Sequence, residues 1–214
     1  MTVAEQLPPA VETAELVTAA KPAPRQAQGV FRAVLDALAR PGTTTRLPVA
    51  PTGPVPAALL PLLALADLGT GFCVLEQDGT GGTGGTGRWS EVVAVATNAP
   101  AVPLAEARLV AAVRPVAPDE IRRLRRGSAE APEDGALLFL PVSALDGGPR
   151  KWRLSGPGVP GDLVVAPDGL PDGFVEARAE AVAGFPAGID LLLTAPDGRL
   201  LGLPRSTAVV EEEN

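Results

Sequence analysis

Histidine and tyrosine are missing from all 214 residues, and cysteine and methionine occur once each. Without imidazole there is no Ser-His-Asp or Cys-His catalysis, and no zinc site that depends on histidine. The single cysteine, Cys73, permits neither an intrachain disulfide nor a Cys-x-x-Cys redox pair. It sits in an apolar stretch and reads as a small core residue. A chain with so little thiol suits a reducing cytosol. Lysine occurs only as Lys21 and Lys151, so a Schiff base has few candidates. Lys151, between arginines and beside Trp152, reads as a strand-capping residue rather than a nucleophile. No apolar run approaches the ~18 residues of a membrane span. The opening MTVAEQLPPAVETAEL has no basic start and no apolar centre, so no signal peptide is expected. Positive charge is also in deficit: 18 basic against 25 acidic residues give a net charge of −7. That balance disfavours phosphate backbones and anionic membranes, so neither nucleic acid nor membrane is an expected partner. The expected location is cytoplasmic.

What is present is enough for one sizeable core, with 46% hydrophobic residues. Glycine and proline, 24 of each, stay under the ~25–30% share that marks a disordered chain. Residues 1–24, with four prolines, read as an extended or mobile arm. Val30, Phe31, Val34, Leu35 and Leu38 repeat at helical spacing until Pro41-Gly42 stops them. AALLPLLALADL, 57–68, is a second helical candidate, with Pro61 either in its first turn or kinking it. GFCVLE, ARLVAAV and ALLFLPV read as buried strands, and PDEIRRLRRG, 118–127, as a helix. WRLSG and LVVAP are short strands around a Gly156-Pro157-Gly158 turn, and 171–182 is helical. IDLLLT and RLLGLP flank Pro196-Asp197-Gly198, a hairpin signal. Alternation of strands and helices ending in a hairpin predicts a single α/β domain with a mixed sheet over 25–210, followed by an acidic tail at 211–214.

GTGGTGGTG at 79–87 formally contains a Gly-x-Gly-x-x-Gly match. RWSEVV behind it does not read as an amphipathic helix, and no acidic residue stands at the distance a dinucleotide site needs, so a flexible loop tip is the expectation. Arg122, Arg125 and Arg126 share one helix face over 118–127, and such a face stays solvated, clamps phosphate or meets an acidic partner. Arg40, before Pro41-Gly42, and Arg205, beside the hydroxyls of Ser206 and Thr207, are the most suggestive polar positions. Arg205 has two readings: an anion holder with Ser206 and Thr207, or a partner for Asp190 across the closing hairpin. No catalytic, cofactor-binding or metal-ligating residue is identified.

Five segments together resemble one family, PhnH, a component of the bacterial carbon–phosphorus lyase core complex. They are Phe31-Arg32 through Leu35-Asp36-Ala37 to Ala39-Arg40-Pro41-Gly42; Thr97-Asn98-Ala99-Pro100; Pro132-Glu133-Asp134-Gly135-Ala136; Leu154-Ser155-Gly156-Pro157-Gly158; and Phe185-Pro186-Ala187-Gly188-Ile189-Asp190-Leu191 with Leu203-Pro204-Arg205-Ser206-Thr207 after the hairpin. The resemblance implies a fold similar to the large domain of fold-type-I pyridoxal-phosphate transferases, without the cofactor. It also implies a homodimer when isolated, and a required, non-catalytic place beside subunits G, I and J in an assembly that processes alkylphosphonates. Where the family often has Phe-His before its Thr-Gly/Asn-Ala-Pro motif, Val95-Ala96 stand here, so no histidine role carries over. The alternative from another class is a self-contained transferase or phosphate-ester-binding enzyme on the same fold, which the missing general bases oppose.

Overall fold

FCVL, LVAA and LLFLP alternate between two apolar faces, and a strand apolar on both faces must have a layer on each side. The computed structural model, which describes residues 13–48, 55–77 and 87–212, satisfies that demand. Its elements are α1 (Thr13–Ala20), α2 (Pro24–Ala39), β1 (Thr44–Arg46), α3 (Leu59–Leu65), β2 (Phe72–Leu75), α4 (Arg88–Thr97), β3 (Leu109–Ala112), α5 (Pro118–Arg122), β4 (Leu137–Pro141), β5 (Trp152–Ser155), β6 (Leu163–Val165), α6 (Phe174–Val182), β7 (Asp190–Thr194), β8 (Arg199–Leu203) and β9 (Ala208–Glu211). Six strands form one sheet in the order β1-β8-β7-β4-β3-β2. β2, β3, β4 and β7 run parallel. β8 folds back on β7, and β1 pairs antiparallel with β8. The expected α/β domain with a mixed sheet is therefore present, joined by a small antiparallel sheet, β6-β5-β9.

Phe72, Val74, Ala111, Phe139 and Leu192 point to one side of the large sheet, where α1 to α4 bring Leu16, Val34, Leu62 and Val93. Cys73, Val110, Leu138, Leu191 and Leu201 point to the other, against Ile121 of α5, Phe174 of α6, and Trp152 and Leu154 of β5. Trp152 stacks on Phe174 with ring centroids 5.2 Å apart. Aromatic stacking adds about 0.5–1.5 kcal/mol beyond the area buried, so it pins the small sheet to α6.

Five local expectations are corrected. Residues 13–20, read as part of an arm, are helical, because Leu16 and Ala20 are buried by packing on α4; residues 1–12 lie outside the described residues. α2 buries Val30, Ala33, Val34 and Ala37, leaving Phe31 and Leu35 exposed at 44% and 49%. Small residues win that face because the helix backbone crosses β8 closely: a Cβ on Gly202 would stand 2.2 Å from the Ala37 carbonyl oxygen. RWSEVVAVAT is the helix α4, started by a side chain from elsewhere in the sequence. α5 stops at Arg122, because the peptides of Arg125 and Arg126 pair instead with Ala136, Gly135 and Gly188. Glu211 belongs to β9, Glu212 donates its N–H to the Lys151 carbonyl, and its carboxylate meets Arg153, so these residues complete a sheet rather than form a solvated tail. Most of the glycine-threonine stretch, through residue 86, lies outside the described residues.

Candidate functional site

An open parallel sheet places ligands beyond the carboxyl ends of its strands. Here the helix start at that end is closed by the protein itself, beside a cavity of about 410 Å³. Glu76 follows β2 directly, and its carboxylate accepts the Trp89 N–H at 2.9 Å, the Ser90 N–H at 3.0 Å and the Ser90 hydroxyl at 2.9 Å. Those are the amides at the start of α4 that a bound phosphate would use. Gly87 is needed at that point, since a Cβ there would lie 2.2 Å from the Glu76 carboxyl carbon. Next to it, Arg114 donates through Nε to the Glu76 carbonyl and forks onto Glu120 at 2.9 and 2.6 Å. Glu120 also accepts the Ala117 N–H, and the Arg114 guanidinium holds its carboxyl below the usual range.

Asp190, Arg205, Ser206 and Thr207, four of the polar residues named from sequence, gather beyond the opposite, amino ends of the strands. Asp190 opens β7, and Arg205 follows β8 after Pro204. Arg205 donates Nη2 to Asp190 Oδ2 at 2.7 Å, and its backbone N–H to Oδ1 at 2.7 Å. Its Nη1 reaches the Pro132 carbonyl at 2.6 Å and the Pro186 carbonyl at 3.2 Å. Gly135 and Gly188 clear space for it: a Cβ on Gly135 would meet the Gly188 oxygen at 2.1 Å and Arg205 Nη2 at 2.9 Å. Two of the resembling segments thus converge on a guanidinium carried by the turn after the hairpin. A third, Gly156-Pro157-Gly158, lies against the Ser206 carbonyl on one side and the Ala39 carbonyl on the other.

Ser206 and Thr207 follow in the same turn, closed by the Thr207 N–H donating to the Pro204 carbonyl at 2.9 Å. They line a cavity of about 510 Å³ together with Arg178, Val182, Phe185 and Arg205. Arg178, on α6, is a residue that sequence reasoning missed. In the sequence it is one more charge on a helix, with no spacing signal to set it apart. Arg40 lies apart from this group: it ends α2 and pairs with Asp36. The three arginines placed on one helix face from the sequence are each engaged: Arg122 with Asp119 and Glu180, Arg125 with Asp134, and Arg126 with the Arg122 carbonyl. Lys151 is exposed. Among the described residues, no group of three or more histidine, cysteine, aspartate or glutamate side chains could hold a metal ion, and no helix is long and apolar enough to cross a membrane.

The geometry defines an α/β domain whose expected phosphate-binding amides are capped by its own carboxylate and whose polar residues, other than Arg178, mostly hold one another. Comparison with known proteins gives this class a family. The chain belongs to the PhnH family, described as a bacterial phosphonate metabolism protein, with residues 19–210 matched. It is 34% identical over 192 residues to the α-D-ribose 1-methylphosphonate 5-triphosphate synthase subunit PhnH of Rhizobium meliloti (strain 1021), covering 87% of this chain and 92% of that one. It is 32% identical over 187 residues to a Stutzerimonas stutzeri protein with the provisional name C-P lyase subunit protein HtxG, covering 87% of each.

Proposed function

We propose that this chain is a non-catalytic subunit of a carbon–phosphorus lyase core complex, the α-D-ribose 1-methylphosphonate 5-triphosphate synthase, acting in phosphonate catabolism. The observation that carries the reading is the match to the Rhizobium meliloti subunit along 92% of that protein's length. The chemistry of the chain supports it. A sequence without histidine or tyrosine, and with both Lys21 and Lys151 exposed, lacks the imidazole and the buried lysine that general-base and Schiff-base chemistry most often use. The polar residues around Arg205 are committed to one another, as in a joint that sets shape. The family resemblance implies a fold similar to the large domain of fold-type-I pyridoxal-phosphate transferases, here without cofactor. Subunits G, I and J are the partners this reading names, with a homodimer for the isolated chain and a cytoplasmic location. The rival reading, a self-contained transferase or phosphate-ester enzyme, gains no catalytic set from the described residues.

The test is to tag the chain in its own host, grow cells on a phosphonate as phosphorus source, and identify what co-purifies. Stoichiometric recovery of subunits G, I and J is the expected result. Recovery of the tagged chain alone, from cells that still degrade the phosphonate in its presence and in its deletion, overturns the reading.

A further inference from the structure

β9 is paired along one side only. The Glu212 N–H donates to the Lys151 carbonyl at 2.8 Å, and that bond fixes the phase of the antiparallel ladder. Arg153 then bonds with Val210 and Ser155 with Ala208, while Leu154–Val209 and Trp152–Glu211 are the pairs without bonds between them. Val209 and Glu211 therefore turn their backbone N–H and C=O groups away from β5. β9 is the last strand of its sheet, and among the described residues no other hydrogen bond reaches those groups. Such an edge is a template for one more strand.

The cavity of about 510 Å³ runs beside this strand as a groove between β9 and α6. Val209 lines it from β9, Ala179 and Val182 from α6, and Phe185, 65% exposed, from the loop after α6. An unpaired edge next to apolar side chains offers an extended chain main-chain bonds for affinity and contacts at alternate positions for specificity. Arg178 and Arg205 are also in the lining, and no acidic residue is. Asp190 answers Arg205. Arg178 is buried and held by the Pro204 and Thr207 carbonyls, and burial lowers it only to about 10, so it is a cation at neutral pH. Its charge acts through the groove wall as a field, not by contact, and favours an acidic occupant. A second copy of β9 fits poorly, because antiparallel pairing across a two-fold would bring Glu211 and Glu212 of both copies to one seam.

We propose that the groove between β9 and α6 docks an extended segment of another protein, apolar at alternate positions and carrying aspartate or glutamate, which adds to β9 as a further strand of the small sheet. The inference rests on the strand edge and its groove and not on membership of the complex, so peptide binding and co-purification succeed or fail independently.

The test is selection of short random peptides displayed on phage against the full chain, followed by fluorescence anisotropy with the most enriched peptide. Enriched sequences are expected to alternate apolar residues and to carry a carboxylate, with Kd of about 100 µM or tighter. Exchanging that carboxylate for lysine should weaken binding about tenfold. Val209→Pro removes an outward N–H without touching a ladder bond, a change that edge strands tolerate. It should leave melting and oligomeric state as in the parent and weaken the peptide about tenfold. Ala179→Glu, at an exposed position of α6, puts bulk and negative charge into the groove and should weaken the peptide by about as much. If Val209→Pro melts far below the parent, Ala179→Glu decides the matter. Absence of enriched sequences, enrichment of basic ones, or affinity unmoved by Ala179→Glu would each overturn the proposal. A parent that sediments as a dimer and a folded Val209→Pro that sediments as a monomer would also overturn it, by making a second copy the occupant.

Discussion

The two ends of the parallel strands solve the same problem in opposite ways. At the carboxyl ends, the start of α4 offers unpaired amides, and Glu76 supplies the negative charge from within the chain. At the amino ends, Arg178 offers a buried positive charge that no carboxylate contacts, while its neighbour Arg205 is fully engaged by Asp190. An internal partner makes a site structural and finishes its chemistry. An omitted partner leaves an electrostatic deficit that only backbone carbonyls offset. The difference teaches that position relative to the sheet is a weaker guide to function than whether each charge has been answered.

The largest expected effect breaks the engaged half of the amino end. Arg205→Ala leaves the carboxylate of Asp190 without its partner and strips the carbonyls of Pro132 and Pro186 of a donor. A loss of about 3–5 kcal/mol is expected in urea unfolding. Asp190→Asn should also destabilise, and the double variant should lose less than the sum of the two. Additive losses would show that the two residues act separately.

A smaller effect is expected at the closed carboxyl end. Glu76→Ala frees three donors at the start of α4, of which the Ser90 pair is buried. The cost should be about 1–2 kcal/mol, the usual range for losing a helix cap. If unfolding shows no change, the carboxylate is dispensable and that end is not closed in the sense described.

The smallest effect is one of acid sensitivity. The Arg114 guanidinium, followed by the Ala117 amide, lowers the Glu120 carboxyl below its ordinary 4.5 in the folded chain. A carboxyl depressed on folding adds stability that is complete above pH 4.5 and disappears as the pH falls through its folded value. Glu120→Gln should therefore lower stability by about 1 kcal/mol at pH 7, and the gap to the parent should close in acid. A gap that persists at low pH would mean that packing, not charge, is what Glu120 provides.

The strands were legible in the sequence because a strand buried on both faces writes an unbroken apolar run, as LLFLP does. The closing hairpin was legible because Pro196-Asp197-Gly198 leaves the chain few other options. Other features depended on partners distant in sequence. α4 starts on a carboxylate contributed from before the glycine-threonine stretch, so RWSEVV carried no local start signal. The buried face of α2 is set by the room Gly202 leaves on β8, which favours Ala33 and Ala37 over the bulkier Phe31 and Leu35. Within the site, Arg205 and Asp190 could be named together because the hairpin register limits where each falls. Arg178 could not, because burial is what distinguishes it, and nothing in FVEARAEAV shows which of its charges goes inside.

β9 has a consequence for how the molecule is made. It is the outer partner of β5, a strand synthesised well before it, and the Ser206-Thr207 turn that frames the Arg178 cavity leads directly into it. β5 cannot gain this partner until Ala208–Glu211 have been made, so the small sheet and the turn that frames the cavity take shape together. A chain cut short before residue 206 would keep all six strands of the large sheet and lose β9 along with the Ser206-Thr207 turn.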